Sequence, residues 1–101
     1  MEKPLHHQIL HRNMIPVFAS LENRRKLLFR LQKAGLQARM HSYEYFVRKN
    51  RFVCVLVLSP TRSLATIYEV RWNRIEAKEV VDGISKLLKE MDSTIRIEYV
   101  S

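Results

Sequence analysis

An apolar run of seven residues, Phe52 to Leu58, most constrains how this chain can fold. The run has the length of a buried β-strand and is far shorter than the ~20 residues that a helix needs to cross a membrane. Because its side chains are apolar on both faces, we predict a central strand of a sheet. The one cysteine, Cys54, lies inside the run, and we expect a buried, inert thiol there.

Alternating stretches flank this run. Residues 36–47 alternate as one strand, with a change of phase near His41–Ser42 that predicts a bulge or bend. Lys49–Asn50 is placed for a tight hairpin turn, and residues 59–63 have the composition of a second turn. Residues 64–72 alternate again. Three consecutive strands with short connections predict an antiparallel meander.

Two helices and a last strand complete the predicted elements. Residues 20–34 form the first helix, with Ser20 as its N-cap and Gly35 at its end. Its predicted core face consists of Leu21, Leu27, Leu28, Leu31 and Ala34. The second helix follows Asn73 as its N-cap, and its apolar side chains fall within one arc. Residues 94–100 alternate as a strand that either joins the sheet or pairs with a second copy of the protein.

The order helix, three strands, helix, strand predicts an α+β fold. We expect a three-stranded antiparallel meander with the helices packed on one face of the sheet, because two one-sided helices need an apolar surface to cover. A length of 101 residues leaves room for one domain. We assign residues 16–101 to a single α-β-β-β-α-β domain. We expect residues 1–15 to form an N-terminal extension, where Pro4 and the following Pro16 limit a helix to about three turns.

Charge is distributed unevenly along the chain. The formal net charge is +8, and residues 1–51 hold 11 Lys and Arg against 3 Asp and Glu, whereas residues 52–101 hold 7 of each. Such an asymmetry indicates a nucleic-acid or anionic-membrane partner. The alternative is a charge that serves solubility alone.

The predicted binding residues lie on the first helix and at the hairpin tip. The outward side of the helix carries four cations with an aromatic residue between them, which suits stacking on a base or sugar. The hairpin tip adds three cations that could reach phosphates. Two alternatives stay open: residues 1–18 cover the aromatic side chain, and the charged tip only keeps a loop in water. The predicted residues are Arg25, Lys26, Phe29, Arg30, Lys33, Arg48, Lys49 and Arg51.

Motifs for catalysis and for cofactor binding are absent from the sequence. With two glycines, Gly35 and Gly83, the chain has no glycine-rich phosphate-binding loop. His7 and His11 have the spacing of metal ligands on a helix, but no third ligand accompanies them, so we predict no metal site. We expect no catalytic residues, no enzyme activity and no cofactor. The single cysteine and the lack of a secretion signal suggest an intracellular, reducing compartment.

Three short segments resemble the double-stranded RNA-binding domain. Ile15-Pro16-Val17 precedes the first helix, residues 51–58 look like the family's second strand, and Arg-Ile-Glu-Ala-Lys (74–78) opens the second helix where the family has Lys-Lys-x-Ala-Lys. The Alu-RNA-binding subunits of the signal recognition particle share the same element order. The resemblance implies that the first helix and the hairpin tip enter successive minor grooves of duplex RNA. It also implies that Arg74 and Lys78 meet the phosphates between these grooves.

Two hypotheses for the function follow. The first is a non-catalytic nucleic-acid-binding protein that prefers structured or double-stranded RNA and contacts mainly backbone phosphates, with duplex DNA as the close variant. The second is an assembly subunit that binds an acidic protein partner. In that case Phe29 and residues 94–100 form an interface, for example in a homodimer. We expect no membrane partner.

Overall fold

The apolar run Phe52–Leu58 lies within the central strand of a five-stranded mixed sheet. The structure is a computed structural model that describes residues 15–70 and 74–101, without the side chain of Arg74. The predicted N-terminal extension, His7 and His11, the end of the predicted strand at Trp72 and the predicted cap Asn73 lie outside the described residues. The elements are α1 (Leu21–Lys33), β1 (Gln37–His41), β2 (Glu44–Lys49), β3 (Arg51–Ser59), β4 (Leu64–Glu69), α2 (Arg74–Met91) and β5 (Arg96–Val100), with 3-10 turns at Val17–Ala19 and Pro60–Arg62.

The α+β class is confirmed, but four strands lie between the helices instead of the predicted three. The stretch 36–47 is two strands, β1 and β2, which pair with His41 opposite Glu44. Ser42 in their turn has a φ of 58°, a left-handed conformation that tight hairpins need. Because Ser42 is neither Gly nor Asn, the usual residues at a left-handed position, the sequence predicts only a bulge or bend here. The pairing between β2 and β3 is irregular instead at Val47/Arg48.

The last strand joins the sheet. The spatial order is β1-β2-β3-β4-β5, and the pairs β1–β2, β2–β3 and β3–β4 are antiparallel. β5 pairs with β4 in parallel, with Leu64 opposite Arg96 and Ala65 opposite Ile97. A parallel pair needs a long crossover, and α2 supplies it. Of the two alternatives left open for residues 94–100, incorporation into the sheet is therefore the one observed.

Helix α1 begins and ends where the sequence predicts. The Ser20 side chain accepts a hydrogen bond from the Asn23 backbone amide at 3.2 Å, as an N-cap does. Gly35 has a φ of 93°, which a side chain would strain, and it follows the last turn. Two predicted core residues are wrong: Leu21 is 44% exposed and Ala34 is exposed as well, whereas Arg24 is buried. Arg24 lies three residues before Leu27, on the buried stripe of the helix.

One hydrophobic core joins both helices to the sheet. Tyr45, Leu56 and Ile67 are opposite one another on β2, β3 and β4, and all three are fully buried. The buried side chains of α1 and α2 belong to the same core cluster. The helical contributors are Leu27, Leu31, Ala77, Val80, Val81, Ile84 and Leu88.

Arg24 fixes the start of α1 against the sheet. Its guanidinium donates hydrogen bonds to the carbonyl oxygens of Phe18 at 2.9 Å and Ala19 at 3.1 Å, and lies 4.1 Å from the centroid of the Tyr43 ring. The Tyr45 hydroxyl donates a bond of 2.8 Å to the Arg24 carbonyl oxygen. Burial raises the pKa of this hydroxyl, and the nearby guanidinium partly offsets the effect. Arg24 is thus a structural cation and not part of the basic surface.

We expect Arg24→Met to lower the free energy of unfolding by about 2 to 3 kcal/mol, because two buried carbonyl groups lose a charged hydrogen-bond donor. Urea denaturation followed by circular dichroism measures the change. The matched control is Arg25→Met, since Arg25 is exposed on the same helix, and it should change stability by less than about 0.5 kcal/mol. Equal stability of the two variants would contradict the structural role of Arg24.

Cys54 is fully buried, as predicted from the apolar run. Burial, with a smaller contribution from the Glu69 carboxylate, raises the pKa of its thiol from 9.0 to about 12. The folded protein therefore disfavours the thiolate. The resulting stability is present below the unfolded pKa of 9.0 and is lost as the pH rises towards 12.

The wild-type protein should therefore lose stability between about pH 9 and pH 11 more steeply than a Cys54→Ala variant, which has no thiol to ionise. Urea unfolding at several pH values measures the two slopes. Because slopes are compared, the loss of packing in the variant does not affect the result. The titration of Tyr45 does not affect it either, since both proteins share this group. Parallel curves for the two proteins would contradict the burial of a neutral thiol.

Candidate nucleic-acid interface

The outward side of α1 presents an aromatic residue among cations, as the sequence predicts. Phe29 is 59% exposed, so the described residues do not cover it. The Lys33 ammonium lies 5.6 Å from the centroid of the Phe29 ring, which is cation–π distance. Arg25 and Lys26 line the same surface, next to Leu21 and Phe29. This surface, formed by Arg25, Lys26, Phe29 and Lys33, is called the α1 surface below.

Two of the predicted cations on α1 already have acidic neighbours. Arg30 forms an ion pair of 2.7 Å with Glu90, which connects α1 to α2. Lys26 lies 3.6 Å from Glu22 on its own helix, and both of these side chains are well exposed. A ligand would have to compete with Glu90 for Arg30. Arg30 is therefore the least available of the four predicted cations on this helix.

The hairpin tip between β2 and β3 divides its cations between two sides of the sheet. Asn50 forms the turn with a φ of 66°, as the predicted turn requires. Lys49 lines a groove of about 260 Å³ with Leu36 at the end of α1 and with Val80 on α2. Arg48 lines a different concavity, and its guanidinium donates a bond of 3.3 Å to the Asn50 carbonyl oxygen. The tip is thus not a single cationic probe.

Of the two cations predicted on α2, Lys78 lines a different cleft from the residues of the α1 surface. Lys78 forms an ion pair of 3.2 Å with Asp82, one turn along the helix. Lys78 lines a cleft with Glu69 and Tyr99, on the side of α2 towards β5. The groove of Lys49 is lined instead by Glu79 and Gly83 of α2. The backbone of Arg74 begins α2, and its side chain lies outside the described residues. Lys78 therefore lines neither the groove of Lys49 nor the surface of Arg25 and Lys26.

The structure does bring Lys33 and Lys49 to the same end of the molecule. Ala34, directly after Lys33, lines the groove that also contains Lys49. The pairing of Gln37 with Arg48 explains this, because it places the start of β1 beside the end of β2. Sequence alternation alone could not show it, since the register of β1 with β2 depends on a turn that was not recognised.

The sequence interpretation missed Arg39. It lies on β1 beside Arg48, Phe46 and Phe52, in a concavity of about 820 Å³ on the sheet. The available signal was the alternation of β1, in which Arg39 and His41 occupy the face opposite to Ala38 and Met40. The unrecognised hairpin concealed this pattern.

Features of other functional classes are not found in the part of the chain that the structure describes. Within residues 15–70 and 74–101, no three His, Cys, Asp or Glu side chains are grouped as metal ligands would be. None of the described helices is both long enough and apolar enough to cross a membrane. The raised pKa values of Tyr45 and Cys54 belong to buried core groups and mark no cleft.

No protein-family model matches the chain, and no curated protein or solved structure is similar to it at a significant level. The function must therefore be inferred from the chain's own residues.

The Arg30–Glu90 contact should be a measurable but weak stabilising pair. In a double-mutant cycle of Arg30→Ala and Glu90→Ala, we expect a coupling energy of about 0.2 to 1 kcal/mol in urea denaturation, because both charged groups are partly in water. The Lys78–Asp82 pair, which is more exposed, serves as the matched comparison and should couple less strongly. A coupling energy near zero for Arg30–Glu90 would show that the guanidinium is free for a ligand.

Proposed function

We propose that this protein is a non-catalytic nucleic-acid-binding protein that prefers structured or double-stranded RNA and contacts mainly its phosphates. The observation that carries the proposal is the accumulation of cations without acidic partners on α1 and the hairpin. Arg25, Lys33 and Lys49 form no ion pair with any described residue. Concentrated and uncompensated positive charge of this kind attracts a polyanion.

The acidic residues of the chain leave this region largely uncompensated. Among the described residues up to Arg51, nine are Lys or Arg and two, Glu22 and Glu44, are acidic. Helix α2, in contrast, carries acidic residues among its exposed lysines. A charge that served only solubility would not need this separation. The separation supports a binding surface on α1 and the hairpin.

The cations should contribute unequally. Arg25, Lys33 and Lys49 form no ion pair with a described carboxylate, although Glu79 lines the same groove as Lys49, so they are more available to phosphates than the paired cations. Arg30, Lys26 and Lys78 are partly neutralised by carboxylates. Phe29, beside Lys33, adds an exposed ring that suits contact with a sugar or an unpaired base. The preference for RNA over DNA rests on the resemblance to double-stranded RNA-binding domains.

The assembly subunit is the second candidate, and the exposed strand β5 favours it. β5 is an edge strand, and Tyr99 and Val100 on it are exposed. An exposed edge can pair with another chain. Deleting residues 94–101 would not test this idea cleanly, because Ile95 belongs to the core. The oligomeric state of the intact protein is the appropriate measurement.

We expect Arg25→Ala, Lys33→Ala and Lys49→Ala each to weaken binding to duplex RNA and to reduce the slope of log K against log salt by about 1, because each removes a phosphate contact. Fluorescence anisotropy with labelled duplex RNA, duplex DNA and single-stranded RNA of equal length measures both quantities. The matched control is Lys86→Ala, an exposed lysine on the mixed-charge surface of α2.

Equal effects of Lys86→Ala and the three variants would show that the attraction is generic and would contradict the proposed surface. A dimer in light scattering, with nucleic-acid affinity unchanged in all variants, would favour the assembly subunit instead. Tighter binding to duplex DNA than to duplex RNA would keep the surface and reject the RNA preference.

A further inference from the structure

A second surface with aromatic and basic residues lies on the first three strands, on the face turned away from the core. Strand pairing places Arg39 opposite Phe46, and Arg48 opposite Phe52. The neighbouring residues along each strand, such as Ala38 and Val47, point into the core. We call Arg39, His41, Phe46, Arg48 and Phe52 the sheet surface; they line the concavity of about 820 Å³ described above.

The two phenylalanines of the sheet surface are only partly covered. Phe46 and Phe52 are both half-buried, although each is large and apolar. The His41 ring packs edge-on against Phe46, with 5.6 Å between the ring centroids, which supports Phe46 from one side. Phe46 lies two residues before Arg48 on β2, and Arg48 pairs with Phe52 on β3. Both phenylalanines line the same concavity and can therefore contact the same ligand strand.

The charge of the sheet surface selects the class of ligand. Arg39 and Arg48 are exposed there, and neither forms an ion pair with a described residue. Glu44 is the one carboxylate on β1 to β3. A second copy packed on this surface would bring arginines together with few carboxylates to balance them, and such like-charge contacts are unfavourable. A polyanion with flat, partly apolar groups complements the surface better.

We propose that the sheet surface binds an unpaired strand of nucleic acid. Bases would stack on Phe46 and Phe52, and Arg39 and Arg48 would contact the phosphates on either side. Aromatic platforms with adjacent arginines bind single strands in this way, with little dependence on sequence. A duplex could not use the phenylalanines, because its bases are already stacked on one another. This ligand and this surface are distinct from the duplex and the α1 surface proposed above.

The test measures binding of a labelled ten-residue oligouridine by fluorescence anisotropy. Phe46→Leu keeps the apolar character of the side chain but removes the ring, and we expect it to weaken binding about 5- to 150-fold, the loss that removal of one stacking contact gives. Phe46→Tyr keeps the ring and should bind within about twofold of the wild type. Arg39→Ala changes an exposed residue that the core does not use, so its expected loss of affinity is not explained by unfolding.

Variants of the other surface distinguish this proposal from the proposed function. Lys33→Ala should leave oligouridine binding within about twofold while it weakens duplex binding. Phe46→Leu should have the reverse pattern. Wild-type affinity for oligouridine in Phe46→Leu and Arg39→Ala would overturn the proposal, even if the duplex results stand. A wild-type dimer that Phe46→Leu dissociates, without loss of oligouridine binding, would also overturn it and assign the surface to a second copy.

Discussion

The packing of Tyr45, Leu56 and Ile67 across the three central strands determines the arrangement of the rest of the molecule. These side chains are fully buried in the one core to which both helices contribute. Side chains alternate along a strand, so the residues next to Tyr45, Leu56 and Ile67 on their own strands point to the opposite face of the sheet. Phe46 and Arg48 therefore lie on the face turned away from the core, and Val47 between them is buried in the core. The core thus fixes both the fold and the location of the sheet surface.

The second constraint is electrostatic. Burying a cation is costly without hydrogen bonds, and Arg24 donates two from one terminal nitrogen to carbonyl groups, while its buried Nε has no partner among the described residues. The other described basic residues up to Arg51 stay near water, where some meet carboxylates and others do not. Arg30 forms an ion pair between the two helices, whereas Lys33 and Lys49 lie at one end of the molecule. The number of cations alone therefore overstates what a ligand can reach.

Periodicity predicted both helices, the central strand and the α+β class, because these depend on local patterns and burial. The cap at Ser20 and the end of α1 at Gly35 were equally visible, since each has a local chemical cause. The hairpin at Ser42 was missed, because its left-handed residue is neither Gly nor Asn. Without this hairpin, the sequence could not predict the strand register that places Arg39 beside Arg48.

The remaining unpredicted features are tertiary contacts. Helical spacing places Arg24, and not Arg25, on the stripe of Leu27, but the local sequence does not show the carbonyl groups that accept hydrogen bonds from the buried guanidinium. Likewise, the partner of Arg30 is 60 residues away in the chain. The candidate residues on α1 could be chosen from the sequence, but their availability to a ligand required the structure. The parallel pairing of β5 depends on the crossover through α2 and has no local signal either.

The central claim is that the uncompensated cations of the N-terminal half form a nucleic-acid-binding surface. The most direct test is an NMR titration of isotope-labelled protein with duplex RNA. The account predicts that amide signals of α1 and of the β2–β3 hairpin shift progressively, with Lys33 and Lys49 among them, while those of β5 stay in place. Shifts confined to β5, or spread evenly over all charged surfaces, would contradict it.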